Sequence, residues 1–249
     1  MKKTFILIFL CIVGVGGFLF ISQNIPTQLE LEKQKISFSD QENKYAIEVN
    51  YPVIKQGLKS KIQKTINEQI FTWASQTASA REQEYKGYLE ELKDLPEYGN
   101  LSYVSEYSIK ESFERGPFLN IVFENYAYTG GAHGGTSLHV FVFNTKTGER
   151  VSFFDVFQDQ PFLTLSRVSL EALKKIDPKL EIYTFAEEGL APSGENFEHW
   201  TIEKEGVRFL FGDYQVGPYT SGRPEVVLLW EDIDSILSPE FKKLLLDQN

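Results

Sequence analysis

The chain has 249 residues, with 25 Lys and Arg against 35 Asp and Glu, a formal net charge of −10. A surface this acidic repels nucleic acid and attracts cationic proteins, so no nucleic-acid partner is expected. Its one cysteine, Cys11, excludes a disulfide framework and leaves no thiol nucleophile beyond the N-terminal segment.

Met1-Lys2-Lys3 is followed by eighteen uncharged residues, Thr4 to Ile21. At ~1.5 Å per residue such a run crosses most of a ~30 Å hydrocarbon layer. The two lysines hold the short end in the cytoplasm, which sends everything after Ser22 outward. Phe20-Ile21-Ser22-Gln23 offers no small-x-small cleavage pattern, so residues 1–24 are expected to be a retained membrane anchor in preference to a cleaved signal peptide. The bulky Ile8-Phe9-Leu10 before Cys11 argues against lipidation. Without these residues the chain keeps 23 basic and 35 acidic side chains, a net charge of −12.

Residues 25–35 are polar, carry Pro26 and suit a tether. A helix-containing lobe is expected over residues 36–98. Ile36 to Tyr51 alternates as one or two strands. Leu58, Ile62, Ile66, Ile70, Trp73, Ala74 and Ala78 then recur at helical steps, as a stripe that must pack on a sheet. The polar stretch Gln76 to Asp94 weakens that pattern and predicts either a continuation or a break before Pro96.

From Leu101 the period changes to two, and residues 99–249 are expected to form an α+β domain. Strands are predicted over Leu101 to Ile109, Phe118 to Tyr126 and Thr136 to Asn144, in an antiparallel meander. A second helix is predicted between Pro161 and Asp177, with Phe162, Leu165, Val168, Ala172, Leu173 and Ile176 as its buried face. Residues 179–195 read as irregular. A hairpin flanks Glu203-Lys-Glu-Gly206, Glu225 to Trp230 makes a last strand, and short helices finish the chain. The fold class is therefore α+β, an antiparallel sheet meander backed by helices.

The loop Tyr126-Ala-Tyr-Thr-Gly-Gly-Ala-His-Gly-Gly135 places four glycines around one histidine between two β-prone runs. Gly130, Gly131, Gly134 and Gly135 imply a tightly shaped connection, and Gly217-Pro218 fixes a second turn that presents Tyr219. Tyr126, Tyr128, Tyr214 and Tyr219 all lie beside these glycine-bearing loops, where a flat ring with a hydroxyl suits a sugar or protein surface. Asp213 and Arg223 flank them as polar contacts. His133 is either a site residue or a hydrogen-bond partner of its own loop, and His139 sits mid-strand, opposite in facing to Leu138 and Val140. Neither a zinc spacing nor a Gly-x-Ser-x-Gly elbow occurs, so no metal and no cofactor are implied.

An apolar helix after Tyr51-Pro52, Tyr-x-x-Gly-Gly-Ala-His-Gly, Asn-x-x-x-Gly-x-x-Val, Phe-x-Asp-Val-Phe and Phe211-Gly-Asp-Tyr-Gln-Val-Gly-Pro-Tyr219 with Gly222 occur in that order. The set resembles the domain-of-unknown-function family found in lysozyme-sensing RsiV-like anti-sigma factors and in the N-terminal region of PdaC-like peptidoglycan deacetylases. The resemblance implies a helix-backed antiparallel sheet and an extracytoplasmic setting. Only Met1 to Lys3 precede the apolar segment, and no separate catalytic domain is evident, so the expectation is the exported domain alone on its anchor.

On this reading the chain is a membrane-anchored binding module of the cell envelope without catalytic activity. Its ligand would be a lysozyme-like wall protein or a peptidoglycan fragment, met by Tyr126, Tyr128, His133, Asp213, Tyr214, Tyr219 and Arg223. The alternative is a peptidoglycan or glycan hydrolase using His133 with a nearby carboxylate such as Asp213, which requires the two to converge in one cleft within hydrogen-bond reach, directly or through one water.

Overall fold

The computed structural model describes residues 29–40, 44–92, 102–130, 133–158, 160–176 and 183–246. Two strands, β1 (Glu30–Asp40) and β2 (Tyr45–Gln56), lead into one helix, α1 (Ser60–Leu92). A three-stranded run follows, β3 (Tyr103–Arg115), β4 (Phe118–Tyr128) and β5 (Gly135–Asn144). The five strands form one sheet in sequence order, and every neighbouring pair is antiparallel except β2 with β3. The antiparallel meander of the sequence reading thus holds for β3 to β5, while the whole sheet is mixed. The cause is α1: a helix between two strands returns the chain to the end it left, so the strands it joins run the same way.

The parallel pairing is short, running from Tyr45 opposite Tyr103 to Val49 opposite Tyr107. Beyond it, side-chain amides take over the backbone's hydrogen bonds. Asn50 Nδ2 donates to Tyr107 O at 2.9 Å, and Asn67 of α1 accepts from Ile54 N at 2.8 Å while donating to Ile54 O at 2.9 Å.

Along α1, Ile66, Ile70, Ala74 and Ala78 are fully buried on the sheet, against Val49, Ile121, Phe123, Phe141 and Phe143. Burying each isoleucine stabilises by roughly 1.5–3 kcal/mol. The helix does not break in its polar half. Tyr85 is buried near Tyr103 and donates to Val104 O at 3.0 Å, which ties the distant turns to β3.

The opposite face of the sheet carries a second layer. It comprises α2 (Phe153–Val156), α3 (Phe162–Ile176), α4 (Tyr183–Gly189), a small antiparallel sheet of β6 (Trp200–Ile202), β7 (Gly206–Leu210) and β8 (Glu225–Leu229), and the terminal helices α5 (Trp230–Ile233) and α6 (Pro239–Leu246). Phe118, Val122, Val140 and Val142 pack there against Phe157, Phe197, Phe209 and Phe211. With apolar material on both sides, β4 is buried continuously from Phe118 to Phe123. Asn120, on the same face, accepts from Ile202 N at 2.9 Å and donates to Ile202 O at 3.2 Å, joining the layers.

Three expectations change. Glu30 to Lys35, read as part of the tether, belong to β1, because β2 offers an edge to pair with and Leu31, Ile36 and Phe38 pack against the core beneath α1. Part of the stretch read as irregular is α4, whose Ala186 closes on the second core together with Leu190 just beyond the helix. The boundary placed between residues 98 and 99 runs through a single sheet, since β2 and β3 are hydrogen-bonded neighbours. The expected anchor, with Cys11, lies outside the described residues. Among the described residues no helix is long and apolar enough to cross a membrane.

Candidate functional site

Two segments about eighty residues apart meet at the end of β4 and β5. Thr136 N, at the start of β5, donates to Asp213 Oδ2 at 3.3 Å. Asp213 also lies 3.7 Å from Arg223 Nε, and the same guanidinium pairs with Glu124 of β4. The His133 ring stacks with Tyr219 at 6.0 Å between centroids, and Tyr219 meets Tyr214 at 5.7 Å. Tyr126, Tyr214 and Tyr219 are exposed. The result is an open aromatic face over a half-buried row of Glu124, Arg223 and Asp213.

Local chemistry shapes each edge. Gly134 lies so close to the Tyr126 ring that a Cβ there would stand 2.6 Å from it, which makes glycine the residue that lets the loop fold onto the tyrosine. Gly130 has φ 96°, open to glycine and strained for others. Gly135 pairs with Ala127 as the first residue of β5. Gly131 lies outside the described residues. In the second segment Pro218, at φ −65°, opens a tight turn over Tyr219–Ser221, in which Ser221 N donates to Pro218 O at 2.8 Å. Gly217 packs on Ser221, where a Cβ would meet Oγ at 3.1 Å. Tyr214 takes φ 62°, a left-handed conformation costly for a bulky side chain, and Gln215 holds that bend by accepting from Gly212 N at 2.9 Å. Tyr128 ends β4, half-buried, opposite Val104.

The His133 tautomer follows from its contact. Nδ1 lies 2.9 Å from Gly134 O, and a carbonyl only accepts, so Nδ1 is the donor, and in the neutral ring Nε2 is the acceptor. The ring itself is exposed. Arg223 pairs with both Asp213 and Glu124, and its own Nη1 is buried without a hydrogen-bond partner among the described residues.

The other histidines serve packing. His139 stacks on Trp73 of α1 at 4.8 Å and 9°, and its Nε2 is buried without a partner. Burial first, then Arg150 and His199, push its pKa down to about 4. Burial likewise lowers the pKa of His199, opposed by Glu198. Among the described residues no three His, Cys, Asp or Glu side chains gather as metal ligands.

Sequence reasoning brought out every member of this face except Glu124. The clue to it was its spacing: it lies two residues before Tyr126 and so shares that residue's side of the strand.

Comparison with known proteins divides the chain where the face forms. Residues 38–136 match the family described as Deacetylase PdaC, and residues 155–231 match a protein family of unknown function, DUF3298. Tyr126, Tyr128 and His133 come from the first match, and Asp213, Tyr214, Tyr219 and Arg223 from the second. The chain is 25% identical over 243 residues to the peptidoglycan-N-acetylmuramic acid deacetylase PdaC of Bacillus subtilis, covering 93% of this chain and 49% of that protein. It thus spans about half the length of that curated relative. A DUF3298 family member from Bacteroides fragilis has the same fold, with a TM-score of 0.59 at 15% identity over 89% of this chain and 98% of the other. A second, from Pseudomonas aeruginosa, gives 0.53 at 15% identity over 86% and 97%.

These matches correct the expectation of a binding module without catalysis. The curated relative and the first family are both named for a deacetylase, which points to hydrolysis. Both matched regions occur in order and fold around one sheet, so the chain is similar to PdaC over residues 38–136 and to DUF3298 proteins over residues 155–231.

Proposed function

We propose that this protein is a hydrolase acting on peptidoglycan or a related envelope glycan, held outside the cytoplasm by residues 4–21. The observation that carries this is that the segment of His133, whose exposed ring stacks on Tyr219, and the segment of Asp213 meet at one tyrosine-lined face. In removal of an N-acetyl group, Nε2 of His133 takes a proton from water as the oxygen attacks the acetyl carbon. The C–N bond then breaks, and the proton passes to the leaving amine, giving acetate and a free amino sugar. Tyr219 and Tyr214 offer stacking faces for sugar rings, and Asp213, held by Arg223, favours the imidazolium that forms in between. The surface charge favours no nucleic acid.

The test is release of acetate from purified peptidoglycan, with reducing ends measured in parallel to register glycosidic cleavage. His133→Ala should lower turnover by ~100-fold or more, as expected for loss of a positioned base, with the circular dichroism spectrum unchanged. Equal turnover in that variant, or none in the unaltered protein with either readout, would sink the reading.

A further inference from the structure

On the second-layer side of β5, a cavity of about 640 Å³ opens between Val140 and Val142 of the strand and the aromatic side chains Phe153, Phe162 and Trp200. It shares no residue with the His133 face. Its walls are rigid and flat: Phe153 stacks on Phe162 at 5.3 Å and 13°, and meets Trp200 edge-on at 6.3 Å and 73°. The volume falls in the range of small-molecule sites, ~300–1,000 Å³.

The polar lining is Arg150 with Glu198. Arg150 differs from every other arginine of this chain. Arg81, Arg115, Arg167, Arg208 and Arg223 each pair with at least one carboxylate, and Arg208 with three, Glu111, Glu203 and Glu225. Among the described residues Arg150 has none. Its guanidinium lies 4.6 Å over the Phe141 ring and donates to Val140 O at 3.3 Å, which holds the fork at the outer edge of β5, where Arg150 lines this cavity on one side and a groove with Gln69 and Trp73 on the α1 side, and leaves donors over. Arg150 is exposed overall, yet packing over Phe141 desolvates part of it and lowers its pKa, with no carboxylate among the described residues to offset this. In a chain with ten more acids than bases, an arginine left unpaired at an aromatic cavity is an unfilled anion position.

We propose that this cavity binds an aromatic monocarboxylate, its ring between Phe153, Phe162 and Trp200 and its carboxylate on Arg150. A bidentate arginine–carboxylate pair suits the planar fork. Glu198 on the same lining disfavours a second negative charge, which restricts the ligand to one. The proposal does not rest on the hydrolase reading and can fail without it.

The probe is 3-phenylpropionate, titrated into the full chain by calorimetry and by quenching of Trp200. Saturable binding is expected. Arg150→Gln should weaken it about tenfold or more, with Arg150→Lys intermediate, and 3-phenyl-1-propanol, which lacks the charge, should bind the unaltered protein about tenfold less tightly than the acid. Gly194 lines the same cavity with φ −62°, and a Cβ there would rest 3.5 Å from Phe162, so Gly194→Leu fills the space without backbone strain and should abolish binding. Absence of binding to the unaltered protein, equal affinity for the acid and the alcohol, or unchanged affinity in Arg150→Gln or Gly194→Leu with the fold intact, would each overturn the proposal.

Discussion

Single side chains in this protein substitute for backbone. Asn67 and Asn120 each offer an amide that both accepts and donates, and each closes on one residue of a neighbouring element, Ile54 and Ile202. A fully buried amide used this way is costly to lose, because its partners are then left without hydrogen bonds away from water. Asn120→Leu should therefore lower stability by roughly 2–4 kcal/mol in urea unfolding, although it adds apolar surface to the core. His139 makes a different kind of prediction. Its pKa in the fold, about 4, lies below its ordinary value of 6.5, so the unfolded chain binds the proton more tightly. Stability from this residue is complete above pH 6.5 and is lost as pH falls towards 4, and His199 acts in the same direction. Unfolding free energy measured at pH 7 and pH 4.5 should differ in that sense, and His139→Phe should reduce the difference. An unchanged difference in that variant would move the effect elsewhere.

At the scale of elements, α1 decides the architecture. Its helical stripe was legible because Ile66, Ile70, Ala74 and Ala78 recur at steps of four. Its persistence past Gln76 was not, since Tyr85 is held there by a contact with β3 that no local pattern announces. Ile70→Ala should cost ~2–5 kcal/mol, while the exposed Lys64→Ala should stay within ~0.5 kcal/mol, as read from denaturation midpoints. β1 illustrates the opposite case. Its exposed residues include Glu30, Lys33, Gln34 and Lys35, a composition that reads as linker, yet charge on an outer strand is also how a sheet edge is protected from further pairing.

For the whole molecule, the five-stranded sheet lies between α1 on one face and the second layer on the other. Trp73 reports the first core and Trp200 the second. Because β4 and β5 contribute side chains to both, the two cores should melt together. Variants retaining only Trp73 or only Trp200 should give coincident fluorescence transitions, and midpoints separated by more than the measurement error would show two independent units. The proposed anchor is tested at this scale too: the full chain should pellet with membranes, and one beginning at Gln28 should stay in the supernatant.

What the sequence determined by itself is what depends on neighbours along the chain. Alternation marked β3 to β5, a three-to-four step marked α1 and α3, and the glycines at 130, 134 and 217 marked turns whose backbone had to be tight. The facing of Tyr126 and His139 followed from strand geometry alone. Tertiary structure decided which of these faces meet. It made β2 and β3 parallel neighbours, brought Asp213 beside Thr136, set Glu124 against Arg223, and left Arg150 without a carboxylate among the described residues. The physical reason is one of range: local torsional preferences fix an element and its apolar side, whereas the pairing of charges and strand edges far apart in sequence depends on how the two cores pack against a shared sheet.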